Sequence, residues 1–237
     1  MAEAAQHLSG TGPATLIGVQ GTVLEALPEG ALWWEGERLL AVADLHLEKG
    51  SSFARRGQML PPYDTVETLS RLALLIRRFN PATVVALGDS FHDDGGAGRM
   101  TPRDRAALVD LQRGRNWIWI AGNHDPKAPA GLDGDCLDML TLGSIRFRHE
   151  PSATPSDGEI AGHLHPAARV AGRGKSVRRP CFVGDGTRLV LPAFGAYAGG
   201  LNVLDRAFAG LFARPFRAFV LGKDRVYAVA RTVLRHG

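Results

Sequence analysis

The sequence predicts an α/β protein in which two sheets stack between helices. Three observations predict it. The first half of the chain alternates strand and helix patterns, the second half is rich in strands, and the apolar strands end in Asp, His or Asn. At 237 residues, with 45% apolar and 22% charged, the chain suits one large domain with a full core. Residues 1–15 read as a flexible N-terminal leader and residues 16–237 as a single domain.

Taken in order, residues 31–47 read as a hairpin turning at Glu35-Gly36-Glu37, with a second strand that ends at Asp44 and His46. From Tyr63 to Phe79, apolar side chains at Val66, Leu69, Leu72, Ala73, Ile76 and Phe79 recur at helical spacing until Asn80-Pro81 stops the run. TVVALGD is wholly apolar up to Asp89, as expected of a strand covered on both faces. Thr101-Pro102 opens a helix as cap and first-turn proline. WIWIAGNHD is a second buried strand with a polar end, and MLTLGSIRFRHE is a hairpin around Gly143-Ser144 that ends at His149. EIAGHLHP follows. If its strand runs on through the histidines, His163 and His165 point to one side. ARVAG, a hairpin turning at Gly184-Asp185-Gly186 and another turning at Gly222-Lys223-Asp224 complete the chain. Polar residues at strand ends matter because α/β proteins gather ligands and catalytic groups there.

Composition narrows the classes. The N-terminus lacks a basic start followed by an apolar block, so no signal peptide is expected. No apolar stretch approaches the ~20 residues of a membrane helix, and a cytoplasmic protein without a membrane partner is the simplest expectation. Cys136 and Cys181 are the only cysteines, too few for a disulfide framework or a thiolate zinc site, and read as small buried hydrophobes. Trp33, Trp34, Trp117 and Trp119 lie in strands and read as core. The net charge is +4, and Lys49, Lys127, Lys175 and Lys223 are the only lysines. Arginine richness fits both a GC-rich genome and phosphate recognition, where a planar guanidinium grips two oxygens.

Five short motifs follow one another: DLH (Asp44, His46), GD (Asp89), GNHD (Asn123, His124, Asp125), the lone His149, and GHLH (His163, His165). Five of the eight histidines lie in this set. Each motif alone arises easily by chance, whereas all five in this order are specific. The set of nitrogen and oxygen donors without thiolate suits Mn²⁺, Fe or Zn²⁺. In this order the motifs resemble the calcineurin-like metallophosphoesterases, from about Leu39 to His165. The resemblance implies a four-layer α/β/β/α sandwich and a centre of two divalent cations, with Mn²⁺ favoured. It also implies that Asp44, His46 and His165 hold one ion, that Asn123, His149 and His163 hold the other, and that Asp89 bridges both. Two such ions about 3.5–4 Å apart clamp the attacking and leaving oxygens of a phosphoryl displacement and acidify the water between them. By the same resemblance His124 is a catalytic group that stabilises phosphate charge and protonates the leaving oxygen, with Asp125 holding its ring. Gly122 and Gly162 are expected to keep the backbone thin beside the site.

Other residues carry two readings each. His92, Asp93 and Asp94 either touch substrate and orient ligands or lie in a solvated glycine loop. Arg55 and Arg56 overhang the site or are a surface pair, and Lys49 shares that ambiguity. Arg169, Arg173, Lys175, Arg178 and Arg179 either track a phosphodiester backbone or line a solvated turn.

Beyond the metal motifs, ADLHLEKGSSFARRG, LPPYDTVETL, GDSFHD and RRPCFVGDGTRLVLPAFGAYAGGLNV are similar to the PdeM-type metallophosphoesterases, the ligase-associated DNA-damage-response endonucleases of bacteria. That similarity runs from about Gly18 to the C-terminal hairpin and implies a metal-dependent phosphodiesterase acting on DNA. It would work with an ATP-dependent ligase, a helicase and an exonuclease. The alternatives are a phosphodiesterase or pyrophosphatase acting on small nucleotides, a hydrolase of lipid-linked nucleotides, or a non-catalytic scaffold. The lipid-linked hydrolase lacks the apolar insertion it would need, and the scaffold is at odds with intact Asp89, Asn123, His124, His163 and His165.

Overall fold

Apolar residues on both faces of a strand demand cover on both sides, and the central strands of this chain have it. The computed structural model describes residues 14–154, 156–172 and 175–236. Seven strands form the first sheet: β1 (Thr15–Val19), β2 (Thr22–Ala26), β3 (Leu32–Trp34), β4 (Leu39–Ala43), β5 (Thr83–Leu87), β6 (Asn116–Ile120) and β7 (Asp135–Leu137). They lie in chain order, antiparallel from β1 to β4 and parallel from β4 to β7. Leu40 and Val42, Val84 and Ala86, and Trp117 and Trp119 face one core, while Ala41, Ala43, Val85, Leu87 and Ile120 face the other. The apolar runs are continuous because successive side chains enter different cores.

The first core is closed by α1 (Lys49–Arg55), α2 (Asp64–Phe79), α3 (Gly96–Arg99) and α4 (Pro102–Gln112). Thr101 caps α4 by accepting the Asp104 N–H, as expected. The buried face of α2 agrees with the predicted one at Leu69, Leu72, Ile76 and Phe79 and differs at its margin. Leu69, Leu72, Leu75 and Ile76 are buried, while Val66 is 41% exposed.

The second sheet begins with β8 (Met139–Leu142), β9 (Ile145–Arg148), β10 (Glu159–Ala161), β11 (Pro166–Gly172), β12 (Lys175–Gly184) and β13 (Arg188–Val190). It is completed by β14 (Leu201–Asn202), β15 (Arg217–Leu221), β16 (Val226–Ala230) and β17 (Leu234–Arg235). Its order is β14-β11-β12-β13-β10-β9-β8, with β15 and β16 added through β12 and β17 through β11. Phe147, Ile160, Phe182 and Leu189 fill the space between the sheets against Ala41, Val85 and Leu87. On its far side Cys181, Val183, Ala218 and Val220 are covered by Val203, Phe208, Leu211 and Leu234. This fourth layer is the thinnest, an irregular segment whose regular part is the 3₁₀ turn Arg206–Phe208.

Two expectations meet limits here. Residues 1–13 of the leader lie outside the described residues, and β1 opens at Thr15. The hairpin of β1 and β2 was not read from the sequence; it turns on Gln20 and Gly21, both left-handed at φ 46° and 81°. Of the tryptophans, Trp33, Trp117 and Trp119 are buried, and Cys181 is fully so. No helix among the described residues is long and apolar enough to cross a membrane.

Candidate metal centre

Register brings the sequence motifs to one edge. Ala43, Leu87 and Ile120 are aligned across β4, β5 and β6, so Asp44, Asp89 and Asn123 leave the first sheet side by side. Arg148 pairs with Ala161 across β9 and β10, which delivers His149 and His163 together from the second sheet, where the Gly162 N–H donates to the His149 carbonyl at 2.9 Å. A bridge between Ala43 and Ala193 fastens the two edges.

Two triads result, one of Asp44, His46 and His165 and one of Asp89, His149 and His163, each with its donor atoms within 4.8 Å of one another. In the first, His46 Nε2 lies 3.2 Å from His165 Nε2, and His165 Nε2 lies 3.4 Å from Asp44 Oδ1. In the second, His163 Nδ1 lies 3.1 Å from His149 Nε2, which is 3.4 Å from Asp89 Oδ1. The His149 Nδ1 faces the Leu87 carbonyl at 3.1 Å; donating its proton there leaves the Nε2 lone pair for the triad. The His163 N–H donates to Asp44 Oδ2 at 2.9 Å and the His46 N–H to the Asp89 carbonyl at 2.9 Å, so each triad is tied to the other.

The histidines of GHLH differ from the same-side expectation. β10 stops at Ala161, and left-handed backbone at His163 (φ 68°) and His165 (φ 44°) sends one ring to each triad. Asp44, His46 and Asp89 are left-handed as well, making five of the nine such non-glycine residues described. Strain of this kind persists only where surrounding structure enforces it, and it collects at functional sites.

The donor set suits divalent cations. Burial, followed by the charges of His165, His92, His124 and Lys49, drives the His46 ring down to about 2, so it presents a neutral lone pair. Burial also works against a charged His165, yet its hydrogen bond to Asp44 and the Asp44 and Asp89 charges outweigh this and raise it. Pairs of imidazole nitrogens facing each other beside a carboxylate are what a cation would accept as ligands.

The other predicted residues separate into groups. Asn123 leaves β6 exposed and lines a cleft with His149 and Arg148. His124 is 47% exposed; its N–H donates to Asp89 Oδ1 at 3.0 Å, and its Nε2 lies 3.9 Å from Asp89 Oδ2. His92 is drawn in, stacked on His124 at 5.4 Å between ring centroids and set edge-on to His46 at 5.6 Å. Arg55 and Arg56 are exposed at the end of α1, outside both triads. Arg178 and Arg179 line a cleft with His165, while Arg173 lies outside the described residues. Asp93 is committed to Arg99 through contacts of 2.7 and 2.9 Å.

Asp125 departs from its expected partner. Its Oδ2 accepts the Phe91 N–H at 3.0 Å and its Oδ1 has no hydrogen-bond partner, so it braces the loop behind Asp89 and leaves the His124 ring alone. Burial pushes this carboxyl up to about 7 against the Phe91 N–H, and the Asp89 charge adds to the rise. Gly122 explains how close these groups come, since a Cβ there would sit 2.6 Å from Asp125 Oδ1 and overlap the Asp89 backbone nitrogen. Gly122→Ala is expected to displace Asp89 and slow turnover about 10²-fold, the usual cost of a misplacement near 1 Å. Metal-dependent hydrolysis of a chromogenic diester measures this, and a change under threefold would refute the packing argument.

Sequence reasoning missed Arg71 and Arg148. Arg148 lines clefts on either side of the second triad, one with Asn123 and His149 and one with His163. Its place directly before His149 is the sequence signal that was available. Arg71, in mid-α2, reaches the Phe194 carbonyl, and nothing local in the sequence marks it.

Comparison with known proteins agrees with this geometry. The calcineurin-like phosphoesterase family matches residues 37–189. A crystal structure of the Pseudomonas putida nuclease MPE superposes with a TM-score of 0.71 at 30% identity, covering 92% of this chain and 100% of that one. This agrees with the resemblance to PdeM-type nucleases. The E. coli phosphoesterase Yfce aligns with a TM-score of 0.39 at 14% identity, over 81% of this chain and 98% of that one. No curated protein sequence matches significantly. With well over half of its length matched by the family, and with both Asp–His triads in place, the chain belongs to the calcineurin-like phosphoesterases.

Proposed function

We propose that the protein is a metal-dependent phosphodiesterase that cuts DNA within a strand. The observation that carries the reading is the pair of Asp–His triads set back to back, with His124 anchored on Asp89 at their junction. Asp44, His46 and His165 would hold one divalent cation and Asn123, His149 and His163 the other, with Asp89 facing both. Bound there, two cations supply a water acidified to near-neutral pKa and positive charge for the phosphoryl oxygens. Mn²⁺ is the proposed metal.

The protein's own groups do the rest. Asp89 holds the His124 backbone, so the half-exposed imidazole stands over the junction where a leaving oxygen would emerge and can hand it a proton. His92 stacks on that ring and limits its swing. DNA as substrate is supported by the 30% identity to a nuclease along nearly the whole chain. Action in the cytoplasm during DNA repair, alongside a ligase, a helicase and an exonuclease, belongs to the same proposal.

Metal-stripped protein is to be given Mn²⁺ and offered circular single-stranded DNA, supercoiled plasmid, a chromogenic diester and a chromogenic monoester. Cutting of circular DNA is the expected result. Cleavage of the diester with every DNA left intact would move the substrate to a small nucleotide. His124→Ala is expected to keep both ions and slow turnover by ~10²–10⁴-fold, the worth of a positioned acid. Loss of the ions in an inductively coupled plasma measurement would make His124 a ligand instead.

A further inference from the structure

A cleft of about 340 Å³ opens beside His165 of the first triad. Arg71, Arg178 and Arg179 line it, and Glu29 is its only carboxylate among the described residues. Its wall is the segment Phe194–Gly200, which is tied to the triad itself: the Gly195 N–H donates to the Asp44 carbonyl at 3.1 Å and the Leu201 N–H to the His165 carbonyl at 3.0 Å. The Ala196 N–H is held by Thr68 Oγ1 at 3.0 Å, and Lys49 Nζ donates to the Tyr197 carbonyl at 2.8 Å. These hydrogen bonds tie the cleft wall directly to the first triad and to α2.

Its cations are not used up by the fold. Arg71 stacks over the Phe194 ring at 4.7 Å and donates one Nη to the Phe194 carbonyl, yet its buried Nε has no hydrogen-bond partner. Arg178 is exposed on β12 and reaches the Gly200 carbonyl with a single Nη. No carboxylate pairs with Arg71, Arg178 or Arg179 among the described ion pairs. Guanidinium groups with spare donors, fixed at the edge of a phosphoryl-transfer centre, are built to grip a second phosphate.

We infer that this cleft is the subsite for a backbone phosphate flanking the scissile one, with Arg71 as its floor and Arg178 and Arg179 as its rim. The inference rests on the nucleic-acid reading given above. It assigns the Arg71 cleft to strand recognition, separate from the chemistry at the triads, and makes a substrate with only one phosphate a poor one.

The test compares a single-stranded oligonucleotide with a chromogenic diester too short to enter the cleft. Arg178→Ala and Arg71→Met are expected to lower kcat/KM for the oligonucleotide roughly tenfold to a hundredfold more than for the diester, the worth of one charge-assisted hydrogen bond. The difference should lie in KM. Each should also reduce the slope of log affinity against log salt by about 0.7, one phosphate contact on a single strand. Arg71→Lys should recover the slope and only part of the KM. Arg178 is exposed and safe to replace, so misfolding of the Arg71 variants would not spare the proposal. Equal losses on both substrates with an unchanged salt slope would overturn the subsite and leave the nuclease reading standing. A wild type that cleaves the diester but neither binds nor cuts nucleic acid would overturn both.

Discussion

Asp89→Ala is expected to abolish hydrolysis, by roughly 10³-fold or more, with loss of at least one bound ion. The size follows from how many jobs one buried carboxylate has. Its Oδ1 is the carboxylate of the second triad, 3.4 Å from His149 Nε2, and also accepts the His124 N–H at 3.0 Å. Its backbone carbonyl holds the His46 N–H of the first triad. Truncation removes the carboxylate of the second triad, the proposed bridge between the two ions, and releases the His124 backbone in the same step. The check is Mn²⁺ titration of diester hydrolysis beside a count of bound ions. Asp89→Asn, which keeps the shape and loses the charge, should retain the fold and bind metal more weakly. Activity within tenfold of wild type in Asp89→Ala would end the bridging assignment.

Glu159→Ala should have the largest effect on stability. Arg188 is 1% exposed and Glu159 2%, and Arg188 Nε lies 2.7 Å from Glu159 Oε1, close but not aligned as a hydrogen bond. The Arg188 Nη groups donate to the Leu211 and Thr154 carbonyls at 2.6 Å each, and Glu159 Oε1 also accepts the Ser152 N–H at 3.1 Å. Removing the carboxylate strands a buried guanidinium, at a cost of about 3–5 kcal/mol. For a chain of this size that is on the order of 10 °C in Tm. A double replacement of Glu159 and Arg188 by leucine should recover much of the loss, because both buried charges go together and Arg148, the other partner of Glu159 at 3.8 Å, keeps its side chain open to solvent. A single-variant melt within 2 °C of wild type would show that water reaches the pair.

The parts of the fold legible in sequence were those set by burial on both faces. β4, β5 and β6 stood out because each residue enters one core or the other, and their polar ends announced Asp44, Asp89 and Asn123. The face of α2 was read correctly at Leu69, Leu72, Ile76 and Phe79, and only its margin was missed, because Leu74, Leu75 and Val66 supply apolar groups on several sides and packing in the first core selects Leu75 over Val66. The first hairpin escaped notice because glutamine at a left-handed turn position carries no propensity signal. In the site, the motifs named the residues of both triads and put His163 and His165 on different ions, as found; only the same-side geometry that a continuing strand would give is absent, because β10 ends at Ala161. Asp125, Arg71 and Arg148 were invisible in the roles they have here, because their neighbours come from remote segments: Phe91, Phe194 and Asn123 in turn.

Each triad takes its members from both sheets. Asp44 and His46 leave the first sheet and His165 the second; Asp89 leaves the first, and His149 and His163 the second. An ion held by either triad is then a rivet through the sandwich, and separating the layers and releasing the ion become one thermodynamic event. By mass action, an ion at a hundred times its dissociation constant would add about 2.7 kcal/mol to the cohesion of the two layers. The inter-sheet core of Phe147, Ile160 and Phe182 is in the same way a remote determinant of metal affinity.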